Sequence, residues 1–188
     1  MLRRTDRLGR ARLGGGHVVN VVMHRPELVR SWATDAVGLF DADYVWHDLA
    51  QIWQTPDDGE QLVDTMLGGT IESRAEQLTA LGIPLDIATS IAAAQGPEMG
   101  RAILSLYRSA RQPAMAEAGR ELENAAARPG LSLLATEDPY IGLAENRRRA
   151  ADRAGARTEV LDGLGHWWMM QDPARGAAAL TRFWESVA

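Results

Sequence analysis

The chain has 188 residues, a formal net charge of −5 and no cysteine, which leaves room for one domain with a sizeable core. The acidic balance argues against a nucleic-acid partner, and the missing thiols exclude a disulfide framework and thiol catalysis. No run reaches the roughly 18 apolar residues of a membrane span and the first residues lack a signal peptide's apolar core, so no membrane partner and a cytoplasmic location are expected.

The chain opens with five arginines, Arg3, Arg4, Arg7, Arg10 and Arg12, among small polar residues without helical or strand periodicity. Residues 1–16 are therefore expected to be an irregular segment. Leu13-Gly14-Gly15-Gly16 then leads into an apolar run ending at His24, and a strand is expected near residues 28–33, with Asp35 just past it. Residues 41–127 read as helical throughout, broken at Thr55-Pro56, Gly68-Gly69, Gly82-Ile83-Pro84, Gly96-Pro97 and Gln112-Pro113. That pattern predicts about five or six short helices inserted between one strand and the next. Tyr44, Trp46, His47, Ile52 and Trp53 read as one aromatic helix, Tyr107 lies on another, and Glu117, Arg120 and Glu121 read as a solvated face.

Leu131-Ser132-Leu133-Leu134-Ala135 is an apolar run of strand length, released into Thr136-Glu137-Asp138-Pro139-Tyr140. The next stretch has helical spacing, with Ile141, Ala144 and Ala151 inward and Arg147, Arg148 and Arg149 outward, and it stops at Gly155. Residues 158–161 form a second short strand, whose Gly-bearing turn delivers Gly165-His166-Trp167 before Asp172-Pro173 opens a last helix. Strand, helix, strand, helix implies a right-handed parallel crossover, which puts Asp138 and His166 at the carboxyl edge of one sheet. A buried carboxylate there orients the imidazole, and the imidazole moves a proton for a nucleophile or a water. No His/Asp/Glu set has metal-ligand spacing, and neither metal nor other cofactor is expected.

An Asp after one strand and a Gly-His after the next, closed by a helix ending in Phe183-Trp184, closely resembles the carboxyl-terminal part of the α/β-hydrolase family over residues 128–188. Residues 13–32 resemble the family's helix behind the nucleophile and the strand after it. The resemblance implies an α/β class: a partial α/β-hydrolase fold of about three parallel strands with flanking helices. Its core would occupy residues 17–40 and 128–188, and its inserted helical cap residues 41–127. It also implies that Asp138 and His166 are the acid and histidine of a triad whose chain order is nucleophile, acid, histidine. Trp46, Trp53, Tyr107 and Trp167 are candidates for binding a small-molecule substrate. Tyr107 and Tyr44 are further candidates because cap tyrosines activate the epoxide oxygen in the epoxide hydrolases of this family. His47 reads as a packing residue, and Ser90, Ser105, Ser109 and Ser132 sit within helices or a strand rather than on a Gly-flanked turn.

Counting back from Pro26-Glu27, the nucleophile position falls on Arg12, which cannot attack anything. The genetic code suggests why. Permitted codons for residues 5–14, shifted by one base, read Leu-Thr-Val-Leu-Val-Gly-His-Asp-Trp-Gly, an apolar strand followed by GHDWGG once Gly15 is added. That resembles the nucleophile elbow of epoxide hydrolases and haloalkane dehalogenases. In the shifted frame the bases fixed at Arg12 permit aspartate and forbid serine. The expectation is a truncated chain with a frame-shifted elbow. Its parent chemistry is hydrolysis of an epoxide, carbon–halogen or ester bond by a nucleophile–His–acid triad, inactive in the chain as written. The alternative is a non-catalytic small-molecule binding or interaction protein. So small a parallel sheet has an open edge, through which self-association is expected.

Overall fold

A computed structural model describes residues 7–10 and 13–188. Four parallel strands pair in sequence order, β1 (Arg7–Arg10), β2 (Ser31–Thr34), β3 (Gly130–Ala135) and β4 (Ala156–Leu161). Arg7 lies opposite Ser31, Trp32 opposite Gly130, and Gly130 opposite Ala156. Three of these are the strands expected near residues 28–33, 131–135 and 158–161. β1 corrects the reading of residues 1–16 as irregular, as does helix α1 (Leu13–His24). Strand pairing is made by backbone N–H and C=O groups, so a segment whose side chains show no alternation can still add to an edge. β3 is buried at every position. A parallel strand covered on both faces reads as a continuous apolar run rather than an alternating one.

The chain divides into two compact units, residues 1–46 with 112–188, and residues 47–111. The second holds α2 (Asp48–Gln54), α3 (Asp58–Leu67), α4 (Ile71–Ala80), α5 (Leu85–Ala94) and α6 (Pro97–Ser109), separated at the expected Pro and Gly breaks. It is narrower at both ends than the span 41–127. The aromatic helix is also corrected: Tyr44 and Trp46 precede α2, and Nδ1 of His47 caps it by accepting from the Ala50 amide at 3.2 Å. That cap fixes where the helix starts. Within this unit, the Arg108 guanidinium reaches both carboxylate oxygens of Glu60, at 2.6 and 2.7 Å, and holds that carboxyl at about 2.

In the sheet unit, the helix α7 (Ala114–Ala118) and the 3-10 run Gly119–Ala127 supply the buried Leu122 and Ala125, while Glu117, Arg120 and Glu121 face solvent as expected. Gln112, where the chain returns from the helical unit, donates from Nε2 to the Tyr44 carbonyl at 2.9 Å and accepts at Oε1 from the Ala116 amide at 3.1 Å. Trp32 on β2 is fully buried, and its indole N–H donates to the carbonyls of Ala125 (3.3 Å) and Arg128 (3.1 Å). Its ring occupies the space beside Gly130, where a Cβ would come within 2.3 Å of it. On the other side, Leu131, Leu133, Leu161, Trp168, Ala179 and Phe183 form one apolar cluster, the last two from α10 (Pro173–Ser186), the helix that follows the short α9 (Trp168–Gln171).

Helix α8 (Ala144–Arg153) departs from the expected pattern. Ala144 is exposed, Arg147 is 97% buried at 3% exposure, and Arg149 clasps the buried Asp41 at 2.5 and 2.9 Å and Asp43 at 2.7 Å. The cause is a close approach to the 3-10 turn Val37–Phe40: a Cβ on Gly38 would lie 2.8 Å from Cγ of Arg147. The missing side chain at Gly38 leaves room for the arginine's aliphatic stem, and a long cationic side chain buries its stem readily.

Candidate active site

β3 and β4 end together, Ala135 opposite Leu161, so the loops that leave them start side by side. Backbone bonds stitch those loops: Thr136 N–H to the Leu161 carbonyl (3.3 Å) and Glu137 N–H to the Leu164 carbonyl (2.9 Å). The Thr136 hydroxyl accepts from the Gly163 amide at 2.8 Å, and Gly163 adopts φ +73°, the left-handed turn that glycine favours. Beyond it, Gly165 donates to Oε1 of Gln171 at 2.7 Å, which fixes the backbone just before His166.

These constraints set Nδ1 of His166 at 2.9 Å from Oδ2 of Asp138. Oδ1 of the same carboxylate accepts from the Tyr140 amide at 2.8 Å, the local turn that an Asp favours. The Asp138 side chain is 1% exposed and that of His166 16%. A carboxylate can only accept, so the hydrogen sits on Nδ1 and Nε2 becomes the basic nitrogen. The rings of Tyr140 and Trp167 stand edge-on to the imidazole, with centroids 4.7 and 5.6 Å away.

Burial opposes the charge on Asp138, but the His166 hydrogen bond and charge, the Tyr140 amide and the Arg147 charge together hold its carboxyl below the usual range. A carboxyl whose pKa is lower folded than unfolded adds stability above its unfolded pKa and loses it as pH falls through the folded one. The urea midpoint of the wild type should therefore decline more steeply than that of Asp138→Asn as pH drops through and below the ordinary carboxylate range. Parallel declines in the two proteins would contradict this assignment.

Asp35, buried at the end of β2, accepts from the Trp168 indole at 2.9 Å. Arg147 donates from Nη1 to the Ala135 carbonyl at 2.8 Å. The sequence singled out neither Trp168 nor Arg147; one follows His166 by two positions, and the other was hidden in a charged run. Trp46 belongs to the sheet unit, buried and edge-on to Tyr44 at 5.1 Å, and the Tyr44 hydroxyl donates to the Tyr140 carbonyl at 2.9 Å. Trp53 and Tyr107 pack on each other at 4.6 Å in the helical unit, each also edge-on to His47.

Ser132 is buried within β3, and Ser90 and Ser109 donate to carbonyls inside their own helices. Arg12 lies outside the described residues. Among the described residues, no group of three or more His, Cys, Asp or Glu is placed to hold a metal ion, and no helix is long and apolar enough to cross a membrane.

No protein-family model matches the sequence, and no curated protein matches it. Solved structures do match in shape. The chain superposes on E-2-(acetamidomethylene)succinate hydrolase with a TM-score of 0.64 at 18% identity, covering 97% of this chain and 68% of that one. For the enol-lactonase from Burkholderia xenovorans the values are 0.62, 15%, 97% and 66%, and for an N-acyl homoserine lactone-degrading enzyme 0.57, 17%, 94% and 66%. The chain has a partial α/β-hydrolase fold. It spans about two thirds of the length of these hydrolases. In α/β-hydrolase terms β3 and β4 are two adjacent parallel strands of the sheet, and Asp138 and His166 lie just beyond their carboxyl ends, the edge where open α/β sheets place their sites.

Proposed function

We propose that this chain carries the base and acid of a hydrolase triad, His166 and Asp138, whose parent chemistry cleaves an epoxide, carbon–halogen or ester bond. The observation that supports it is the 2.9 Å contact between Nδ1 of His166 and Oδ2 of a buried Asp138, made by loops leaving adjacent parallel strands. In the parent reaction an aspartate at the position of Arg12 attacks an electrophilic carbon, and the carbon–oxygen or carbon–halogen electrons leave with the oxygen or halide. His166 then takes a proton from water at Nε2, the hydroxide attacks the ester carbonyl to release an alcohol and restore the carboxylate, and His166 gives its proton to the alkoxide of an opened epoxide or, with a halide, to solvent. An aspartate rather than a serine nucleophile rests on the shifted-frame reading of residues 5–14. Arginine has no nucleophilic group to form that ester, so the chain as written does not catalyse it. Arg12 equally favours the second reading, a protein that binds a small molecule without turning it over.

The test is incubation with a small epoxide and a short haloalkane, following diol or halide release beside calorimetric binding. Binding without release is the expected result. Release by the chain as written would overturn its inactivity, and neither binding nor release would remove the small-molecule reading. Sequencing the coding DNA through the codons of Gly16 bears on Arg12 separately: codons incompatible with the one-base shift would make Arg12 a genuine residue of the chain.

A further inference from the structure

Tyr140 stands edge-on to the His166 imidazole from a loop, residues 136–143, that has no regular secondary structure. The direction of its ring is therefore set by the backbone bonds on either side of its Cα. Its N–H donates to Oδ1 of Asp138 at 2.8 Å, and its carbonyl accepts from the Tyr44 hydroxyl at 2.9 Å. Those two groups belong to successive peptide planes, so the pair of bonds fixes both φ and ψ at Tyr140, and with them the way its side chain leaves the backbone. Tyr44 is itself held. It is 2% exposed, its N–H donates to the Asp41 carbonyl at 3.1 Å, and its carbonyl accepts from Nε2 of Gln112 at 2.9 Å. Its ring lies against Gly142, at φ +82°, where a Cβ would come within 3.0 Å of Cδ2.

We infer that Tyr44 is a positioning residue for the Asp138–His166 pair: its hydroxyl locks the Tyr140 carbonyl, and the locked Tyr140 holds Asp138 by its amide and the imidazole by its ring. The Asp138 carboxylate takes one hydrogen bond on each oxygen, from the Tyr140 amide and from Nδ1 of His166, so its plane is set while both donors stay in place. Tyr140 supplies the first donor and bounds the ring that carries the second, with centroids 4.7 Å apart. A phenol has one hydrogen to give, and here a backbone carbonyl receives it. Tyr44 thus acts on the loop of the acid rather than on a substrate oxygen, which sets aside the epoxide-activating role that the resemblance implied for it. The inference deepens the proposed function and rests on reading the pair as acid and base.

The test is magnetic resonance of the full chain, reading the imidazole ring protons of His166, assigned by their loss in His166→Gln, and the exchange of the Tyr140 amide. Tyr44→Phe removes the hydroxyl and keeps the ring. Tyr140→Leu sets the scale, since it abolishes the ring current that Tyr140 exerts on the imidazole. Val18→Ala, which truncates another buried side chain in α1, controls for general loosening. Tyr44→Phe is expected to move the His166 signals most of the way to their values in Tyr140→Leu. It should also speed Tyr140 amide exchange roughly fivefold to tenfold relative to the amides of β3, the weight of one hydrogen bond. Val18→Ala is expected to change neither reading. His166 signals unmoved by Tyr44→Phe, or moved as far by Val18→Ala, would overturn the inference, since a tyrosine that only packs has no privileged effect on the imidazole. A variant too unstable alone is read in sucrose beside the wild type in the same buffer, because an excluded osmolyte favours the compact state. No turnover enters the measurement. Failure to hydrolyse any probe therefore bears on the proposed function, and unmoved imidazole signals on Tyr44.

Discussion

Exchanging residues 5–14 for Leu-Thr-Val-Leu-Val-Gly-His-Asp-Trp-Gly is expected to yield a chain that takes up a small epoxide or haloalkane covalently, seen as a mass increase of the intact protein. β1 pairs in parallel with β2 from Arg7 opposite Ser31 to Arg10 opposite Thr34, and α1 begins at Leu13. A strand followed at once in the chain by a helix is the order of elements on which a nucleophile elbow is built. Adding His166→Gln should make the adduct persist. Aspartate attacks without a base, whereas the water that cleaves the ester needs one, and losing a positioned base slows such a step roughly 10²–10⁴-fold. A restored chain that gains no mass with either probe, in the presence or absence of His166, would sink the aspartyl-ester chemistry.

Trp32→Ala should produce the largest loss of stability of any single truncation in the sheet unit. Emptying a fully buried tryptophan site costs about 3–5 kcal/mol, and here the indole also serves the carbonyls of Ala125 and Arg128. A domain's whole stability is of the order of 5–15 kcal/mol, so a large drop in urea midpoint, or failure to fold at all, is the expected reading. A midpoint within error of the wild type would show that the space beside Gly130 refills. Gly130→Ala should also destabilise, for the opposite reason: its new methyl collides with the ring that Trp32→Ala removes.

What the sequence disclosed follows from which forces write themselves into residue types. β3 was legible because burial at every position demands an apolar run, while β4, buried only at Ala156 and Leu161, was marked chiefly by the turn at Gly163 that follows it. Asp138 and His166 were legible as a pair because adjacent parallel strands end side by side, so two loops that look unrelated in the chain become neighbours. β1 was not legible, since its pairing is made by backbone groups common to every residue but proline. Arg147 was misplaced because helical periodicity treats a cation as a surface group, and only the space left by Gly38, more than 100 positions away in sequence, reverses that. The cap at His47 was missed because histidine is not among the preferred capping residues, yet its ring nitrogen accepts as a serine oxygen would. The branch of chemistry is the least legible of all. Identities of 15–18% to the hydrolases named above fix a shape and leave the bond that is broken to the loops.

The clasp between Gln112 and the Tyr44 carbonyl bears on how such a protein can change over generations. It brings together the two points between which the helical unit leaves and rejoins the sheet, so the 47–111 segment is an insertion tied off at its base. The cost of closing a loop grows only slowly with its length, by about 0.6 kcal/mol per doubling. Helices can therefore be lost, gained or swapped beyond the clasp while β2 and β3 keep their register, Trp32 against Gly130. In this arrangement the make-up of the helical segment can change independently of the strand register on which the sheet depends.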